Sequence, residues 1–459
     1  MPSSANHRNA GLDLVSAPTG AITGDAVPLY GEVFSEDQHG LYERLRREWG
    51  PVAPVLLEPG LPAWLVLGYY EVLRICRTPR PFSRDTRRWR ELQEGVRHGS
   101  VPAELVHRPG LAFAEGEEHE RLRRAVSDAL ERLDPAAVAR HVREIAGALI
   151  DRFAPDGHAD LVRRYAHRLP PYVLTKIVGV PDGEVAAFAA ILTREVRPGR
   201  PDDGELERRL LDLVELRRGE PGEDLTSWLI EHPSAPSDKE LVHLLRVTLR
   251  RGDRPTADLL ASALRWLVSD REFGSAVAAH RLGVEDAIDQ VLWVDPPVQN
   301  GAPHVPTQDA RIGRADIGAG DLMVMSFAAA NADPVLSGGL AELGHAGLSG
   351  RRAHLAWGAG PHRCPAQRLA RMIAGVGVEV LLDRLTGLRL EGPAARLDRR
   401  PSPLAAGLVS LPVLFEPAPV RNGTEPVFEP AFSDPFTDPE QGSSRGRHAA
   451  RRGRWFRRS

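Results

Sequence analysis

Cysteine is almost absent from this chain: Cys76 and Cys364 are the two in 459 residues. That is too few for a disulfide framework, and no early stretch pairs a basic start with an apolar run, so the expected setting is the cytoplasm. No window approaches the roughly 18 successive apolar residues of a membrane span. Neither charge dominates, with 59 basic against 62 acidic residues and a net charge of −3, so nothing predicts a nucleic-acid binder. Lysine is scarce too: Lys176 and Lys239 leave 59 − 2 = 57 arginines, a bias so uniform that it reads as compositional rather than functional. There is no repeat of fixed period, and no Pro/Gly/Ser linker divides residues 26–417, which therefore read as one domain.

What is present is ordinary globular material, 42% apolar and 26% charged, enough to bury a core. Apolar residues recur at three and four over His119–Leu130, Pro135–Phe153, Asp238–Ser269, Val284–Val294 and Pro365–Leu385, predicting helices. Strand-like pieces cluster near Leu56–Leu67 and Thr307–Val324. The expected fold is mainly α with a small β-sheet. Residues 1–25 lack periodicity and read as a mobile leader. Residues 418–459 read as a tail in which Phe428, Phe432 and Phe436 sit among prolines and acids before an arginine-rich end around Trp455 and Phe456. Such an end could touch acidic lipid or an acidic partner, or could simply be solvated.

Chemistry concentrates at Trp357-Gly358-Ala359-Gly360-Pro361-His362-Arg363-Cys364-Pro365-Ala366-Gln367. Two glycines let a loop backbone approach a flat ligand closely, and Pro365 suits the first position of the helix that follows. A helix N-terminus aimed at the sulfur favours thiolate, which can ligate iron; the competing reading is an inert buried cysteine. Cys76, in an early helical region, is expected to be such a core residue.

The loop resembles the haem-binding loop of the cytochrome P450 haem-thiolate monooxygenases, Phe-Gly-x-Gly-x-His-x-Cys-x-Gly, with Trp357 for the aromatic and Ala366 for the last glycine. His119 and Arg123 match the family's His-x-x-x-Arg, and their spacing places both on one helix face. The order of Tyr69–Leu73, Phe82–Asp85, Asp295–Gln299, Thr307–Asp309 and Ala328–Pro334 also fits, so the resemblance covers roughly residues 28–415. It implies the cytochrome P450 fold, haem b (iron protoporphyrin IX) held through Cys364, and O2 as co-substrate. Electrons would come from NAD(P)H through a reductase and an acidic ferredoxin drawn to Arg363, Arg368 and Arg371. His119, Arg123, His362 and His304 would anchor the propionates, His304 standing where many members place an arginine.

Three departures bear on what the resemblance implies. Members carry Glu-x-x-Arg where this chain has Gln290-Val291-Leu292-Trp293, and the Pro-x-Arg-Phe of the later meander is missing between Pro334 and His354. The family's charge network is thus expected to be replaced by neutral packing, which can be nearly neutral in energy when the whole set goes. In this the chain looks similar to ExxR-lacking actinobacterial members associated with operons encoding a sensor-kinase-like protein and a small GTPase. In the long central helix the family's acid–alcohol pair is out of register: Arg251-Gly252-Asp253-Arg254-Pro255 is followed by Thr256. A kink at Pro255 would let Asp253 and Thr256 relay protons; otherwise they are polar residues at a bend. The expected function is insertion of one oxygen atom from O2 into a small apolar molecule. The alternative is a catalytically weak or inactive haem-bearing scaffold or sensor in a membrane-associated signalling complex, with partners on the tail.

Overall fold

The computed structural model describes residues 26–421, save 32–33, 35–36, 96–100, 103, 194–202, 337–351 and 401. The leader, the missing meander motif and nearly all of the tail therefore lie outside the described residues. Eleven strands are described: β1 (Val27–Pro28), β2 (Val52–Glu58), β3 (Leu61–Val66), β4 (Phe82–Ser83), β5 (His158–Asp160), β6 (Asn300–Pro306), β7 (Ala310–Ile312), β8 (Ala315–Ile317), β9 (Met323–Ser326), β10 (Arg389–Leu390) and β11 (Pro412–Leu414). The main sheet has the order β1-β2-β3-β9-β6-β4, beside a three-stranded β10-β11-β5 sheet and the β7-β8 hairpin. Helices outweigh these sheets, as expected. Expected and observed helices agree closely: Gly116–Glu131, Pro135–Asp151, Asp238–Ser269, Val284–Val294 and Gln367–Arg384.

Local chemistry explains the boundaries. Asp134 caps Pro135–Asp151 by accepting from the amides of Ala136 and Ala137, and Ser237 with Glu240 forms a capping box at the start of the central helix Asp238–Ser269. That helix buries Leu241, Leu245, Leu249, Leu260 and Leu264 against the surrounding helices. Gly377, in the helix Gln367–Arg384, permits the close packing, since a Cβ there would stand 2.8 Å from Leu169 Cδ2. β6 was not expected from the sequence. Pro303 and Pro306 interrupt its pattern, Ala302 has a positive φ of 47°, and a register shift between Gly301 and His304 marks a bulge against β9.

The central helix runs unbroken through Pro255. The expected kink does not interrupt it; the cost is local, because Pro255 has no N–H to offer the carbonyl of Arg251.

The expectation of neutral packing around Gln290–Trp293 is overturned. One residue earlier, Asp289 has no exposed side-chain surface and gathers two arginines and a histidine. Arg371 reaches it with both terminal nitrogens, Nη2 lying 2.6 Å from Oδ2. Arg352 Nε is 3.3 Å away and His354 Nε2 3.4 Å. Trp293, the residue in the family's arginine position, lies edge-on to the His354 ring at 5.7 Å. The charge network has moved by one position and recruited its arginine from the helix that follows Cys364. The proposed docking role of Arg371 falls with this, since its side chain is only 16% exposed; Arg363 and Arg368 remain exposed.

Asp289 is one of three such clamps. Asp295 binds Arg265 at 2.8 Å and Arg399 at 3.0 Å, and Asp258 binds Arg400 at 2.6 Å with His167 at 3.4 Å. Burial pushes all three carboxyls upward in pKa. The hydrogen bonds and charges of their basic partners outweigh it and hold each below the ordinary carboxylate range.

Because the folded pKa lies below the unfolded one, each clamp's stabilisation is complete above the unfolded carboxylate value near ~4 and is lost as pH falls through the folded value. Urea unfolding measured at a series of pH values should show stability falling below that point by up to about 4 kcal/mol per pH unit for the three together. Asp289→Asn should remove about 3–5 kcal/mol at neutral pH and flatten that slope. Trp293→Arg should also lower the melting temperature, because a further cation would crowd Arg371 and Arg352 around Asp289 as the aromatic contact with His354 is lost. An unchanged stability curve in either variant would contradict this account.

Candidate active site

The Gly-rich loop is held from several sides. Asn331 donates from Nδ2 to the Leu292 carbonyl at 3.0 Å and accepts from the Leu355 amide at 2.8 Å. Tyr69 donates its hydroxyl to the Ala353 carbonyl at 2.7 Å. Gly358 and Gly360 both have positive φ, 71° and 67°. At Gly360 a Cβ would stand 2.0 Å from the Cys76 carbonyl oxygen, so only glycine lets the loop lie on the helix Tyr69–Arg77. Cys76 itself is buried, burial pushing its thiol up to about 11, as an inert core residue should be.

Cys364 donates its amide to the Trp357 carbonyl at 2.9 Å, which folds the loop back and presents the sulfur. The helix begins only at Gln367, so Pro365 lies in the preceding turn rather than at the first helical position. The expected lowering of the thiol pKa does not follow. Burial raises it, against the Ala366 amide and the charges of Arg123 and Arg363. The sulfur is therefore placed and supplied with donors, but its ionisation waits on a metal, whose binding requires a deprotonated thiolate.

A second group converges here from β4 and the helix Gly116–Glu131. Glu115, at the start of that helix, accepts from Ser83 Oγ at 2.9 Å and from the Arg84 amide at 2.6 Å. This ties β4 to the helix one turn before His119. Arg84 is buried and donates Nη1 to the Pro303 carbonyl at 2.8 Å. His119 stacks on His362 with ring centroids 4.0 Å apart, and Arg123, four residues on, lies near enough to Cys364 for each to shift the other's pKa. Burial, then the neighbouring arginines, depress the histidines: His119 to about 4 and His362 to about 2, so both rings are neutral at pH 7.

The structure thus brings together His119, Arg123, His362 and Cys364. His304 joins them in space, but its role changes. Its Nδ1 lies 2.7 Å from the Ala302 carbonyl, which puts the ring proton on that nitrogen and leaves a lone pair on the other. Burial and Arg84 depress it to about 3, so it brings neither charge nor a spare donor to a carboxylate. Arg84, immediately after the strand β4 that pairs with β6, is the cation that reaches β6 instead, through the Pro303 carbonyl. Sequence reasoning passed over Arg84 because its segment was read only for the order of motifs. A charged residue directly after the apolar-leaning Phe82-Ser83 pair was the available signal.

Asp253 and Thr256 are both buried. Asp253 lies about 200° round the central helix from Arg251, at ~100° per residue. The charges that reach it are Arg254, Arg250 and Asp258, a different set from the Arg84–His119–His362 group. Its Oδ1 has no hydrogen-bond partner among the described residues, and burial raises its carboxyl to about 7.

Three buried donors near the loop are also without partners among the described residues: Arg84 Nε, His119 Nε2 and Trp357 Nε1. Unmade hydrogen bonds on buried donors are costly, and two carboxylates on a flat ring are the kind of acceptor that would satisfy them. A sulfur at the end of a glycine loop, flanked by these donors, has the chemistry of a haem-thiolate cradle. Comparison with known proteins agrees.

No family model matches the chain. It is 30% identical over 395 residues to cytochrome P450 monooxygenase PikC of Streptomyces venezuelae, covering 83% of this chain and 92% of that protein. It is 29% identical over 391 residues to 2-hydroxy-5-methyl-1-naphthoate 7-hydroxylase of Streptomyces carzinostaticus, covering 82% and 95%. Among solved structures it is similar to CYP154A1 from Streptomyces coelicolor A3(2), with a TM-score of 0.73 and 27% identity over 85% of this chain and 100% of that one. The chain belongs to the cytochrome P450 family, and with it to the haem-iron monooxygenases. Among the described residues no helix is long and apolar enough to cross a membrane.

In haem-free protein, histidine NMR should find His119 titrating near pH 4, and the value should rise once propionates lie beside it. A titration near the ordinary ~6.5 in the haem-free protein would mean that water, not packed protein, surrounds this ring.

Proposed function

We propose that this protein inserts one oxygen atom from O2 into a small organic molecule, with haem b bound at Cys364 and electrons delivered by an acidic ferredoxin. The observation that carries the reading is the convergence of Cys364 with unpartnered buried donors from three separate elements. Bound haem would supply oxygen activation, which thiolate ligation favours. Around it, Arg123 and Arg84 would offer charge to the propionates, with His119, His362 and Trp357 as further hydrogen-bonding groups. The orphaned donors support these assignments. Exposed Arg363 and Arg368 would meet the electron carrier by charge complementarity. NAD(P)H, through a reductase, would reduce that carrier, and a cytoplasmic location fits the composition. The finer placement, among the ExxR-lacking actinobacterial members, is supported by the Asp289 clamp, which does the fastening work of the missing motif.

Asp253 would hold the proton. With its carboxyl near 7 it is about half protonated at neutral pH, and Thr256 lies one turn along on the same helix. We assign Asp253 as the acid that feeds protons toward the site, with Thr256 as the hydroxyl that passes them on.

Reduction under carbon monoxide should give the red-shifted Soret band of a thiolate-ligated haem, and Cys364→Ser should abolish it. A variant with the parent's haem content and spectrum would defeat the reading. Asp253→Asn should leave that spectrum intact, lower kcat by about 10²-fold or more, and remove a limb of the rate profile near pH 7. A profile of unchanged shape would take Asp253 out of the proton path.

A further inference from the structure

We propose that Glu115 is a positioning residue for the haem site: it holds Arg84 and His119 at a fixed spacing, so that the two present one pair of donors to a single propionate. This rests on the oxygenase reading above and deepens it by naming what sets that pair. Glu115 occupies the cap position of the helix Gly116–Glu131, where Ser, Thr, Asp and Asn are favoured because their short side chains turn back onto the helix's first amides. The glutamate makes no such bond. Both of its oxygens reach across to β4 and the residue after it: Oε2 accepts from Ser83 Oγ at 2.9 Å, and Oε1 from the Arg84 amide at 2.6 Å. The side chain thus serves a contact between two segments and leaves its own helix uncapped.

Glu115 acts from its backbone as well. Its carbonyl accepts from the His119 amide at 3.4 Å, so one residue fixes the origins of both donor side chains. Ser83 is itself locked, because its hydroxyl oxygen accepts from the Asp85 amide at 3.1 Å and leaves its proton for Glu115. The far end of Arg84 is then oriented by its terminal nitrogens, Nη1 donating to the Pro303 carbonyl at 2.8 Å and Nη2 to the Ala112 carbonyl at 3.4 Å. With backbone and tip both fastened, Nε is the nitrogen left without a partner among the described residues, and His119 Nε2 is in the same state. Both residues are buried, 5% and 4% exposed.

Donors held in place before a carboxylate arrives lose little freedom when it binds, and a guanidinium donor makes the stronger, charge-assisted kind of hydrogen bond. Glu115 does not compete with the propionate for that donor, since its two oxygens are taken up by a hydroxyl and a backbone amide, both neutral. Its contribution is the distance between two elements. Arg84 travels with β4 and His119 with the helix Gly116–Glu131; once Glu115 no longer joins them, the two nitrogens need not meet on one acceptor.

The test is a double-mutant cycle, read as the rate at which haem passes from the full-length, haem-loaded protein to excess apomyoglobin. Glu115→Ala should speed that transfer about tenfold, or about 1.4 kcal/mol. In an Arg84→Gln background the same change should add no more than about twofold, because a residue that acts through Arg84 then has no pair left to hold. A larger increment there is the signature of a merely structural tie and overturns the proposal, as does an unchanged rate in Glu115→Ala itself. Should Glu115→Ala fail to fold, Glu115→Gln keeps one of the two acceptors and carries the same cycle, with an expected rise of about threefold in the parent and none without the guanidinium. The oxygenase reading is tested separately by the carbon monoxide spectrum: a bound haem without the thiolate band defeats that reading, whereas the transfer cycle reports on the propionate side alone.

Discussion

The carboxylate of Asp289 sits without exposed surface between the helix Val284–Val294, the residues just before the Gly-rich loop, and the helix that follows Cys364. Each of those elements positions part of the site. The first runs into the segment that leads to β6 and His304, the second begins the loop, and the third fixes the sulfur's exit. A buried charge with one partner gains little over neutral packing, but one shared among Arg371, Arg352 and His354 cannot be released by moving any single element. The position of Cys364 is therefore set by its own loop's hydrogen bonds together with a carboxylate some seventy-five residues earlier in the chain, which fastens the segments on either side of it. Asp295 and Asp258 repeat the device, fastening the central helix to the residues around Arg399 and Arg400.

Much of the fold was legible in the sequence because long amphipathic helices announce themselves by period. Asp238–Ser269 and Val284–Val294 match their expected bounds, and the capping box at Ser237 and Glu240 shows why one of those ends is sharp. β6 was hidden because prolines and a bulge spoil alternation, which is the signal on which strand reading depends. The site was legible where a residue's role follows from its own spacing, as with His119 and Arg123. It was illegible where the role depends on a partner far away in the chain. Asp289 looked unremarkable beside the missing motif, and Arg371 looked like a surface charge, until folding brought them within hydrogen-bonding distance.

Electrostatics explains why the histidines differ from the arginines around the loop. Burial, reinforced by Arg84 at all three rings and by Arg123 at His119 and His362, keeps His119, His304 and His362 neutral. Positive charge at this site must therefore come from guanidinium groups, which stay protonated where imidazoles do not. That makes the exchange between β6 and the residue after β4 intelligible: once the β6 position is a histidine with its ring proton turned toward Ala302, a cation just beyond the paired strand, Arg84, becomes necessary rather than redundant.

The central helix resolves the remaining tension between resemblance and departure. Its register places Arg251 and the buried Asp253 on opposite sides, with Pro255 one turn beyond Arg251. A helix that stays continuous while omitting one hydrogen bond keeps its packing on Leu174 and leaves one carbonyl without its helical donor. Burial does for Asp253 what a neighbouring carboxylate would do elsewhere: it raises the carboxyl to about 7, against the restraining charges of Arg254 and Arg250.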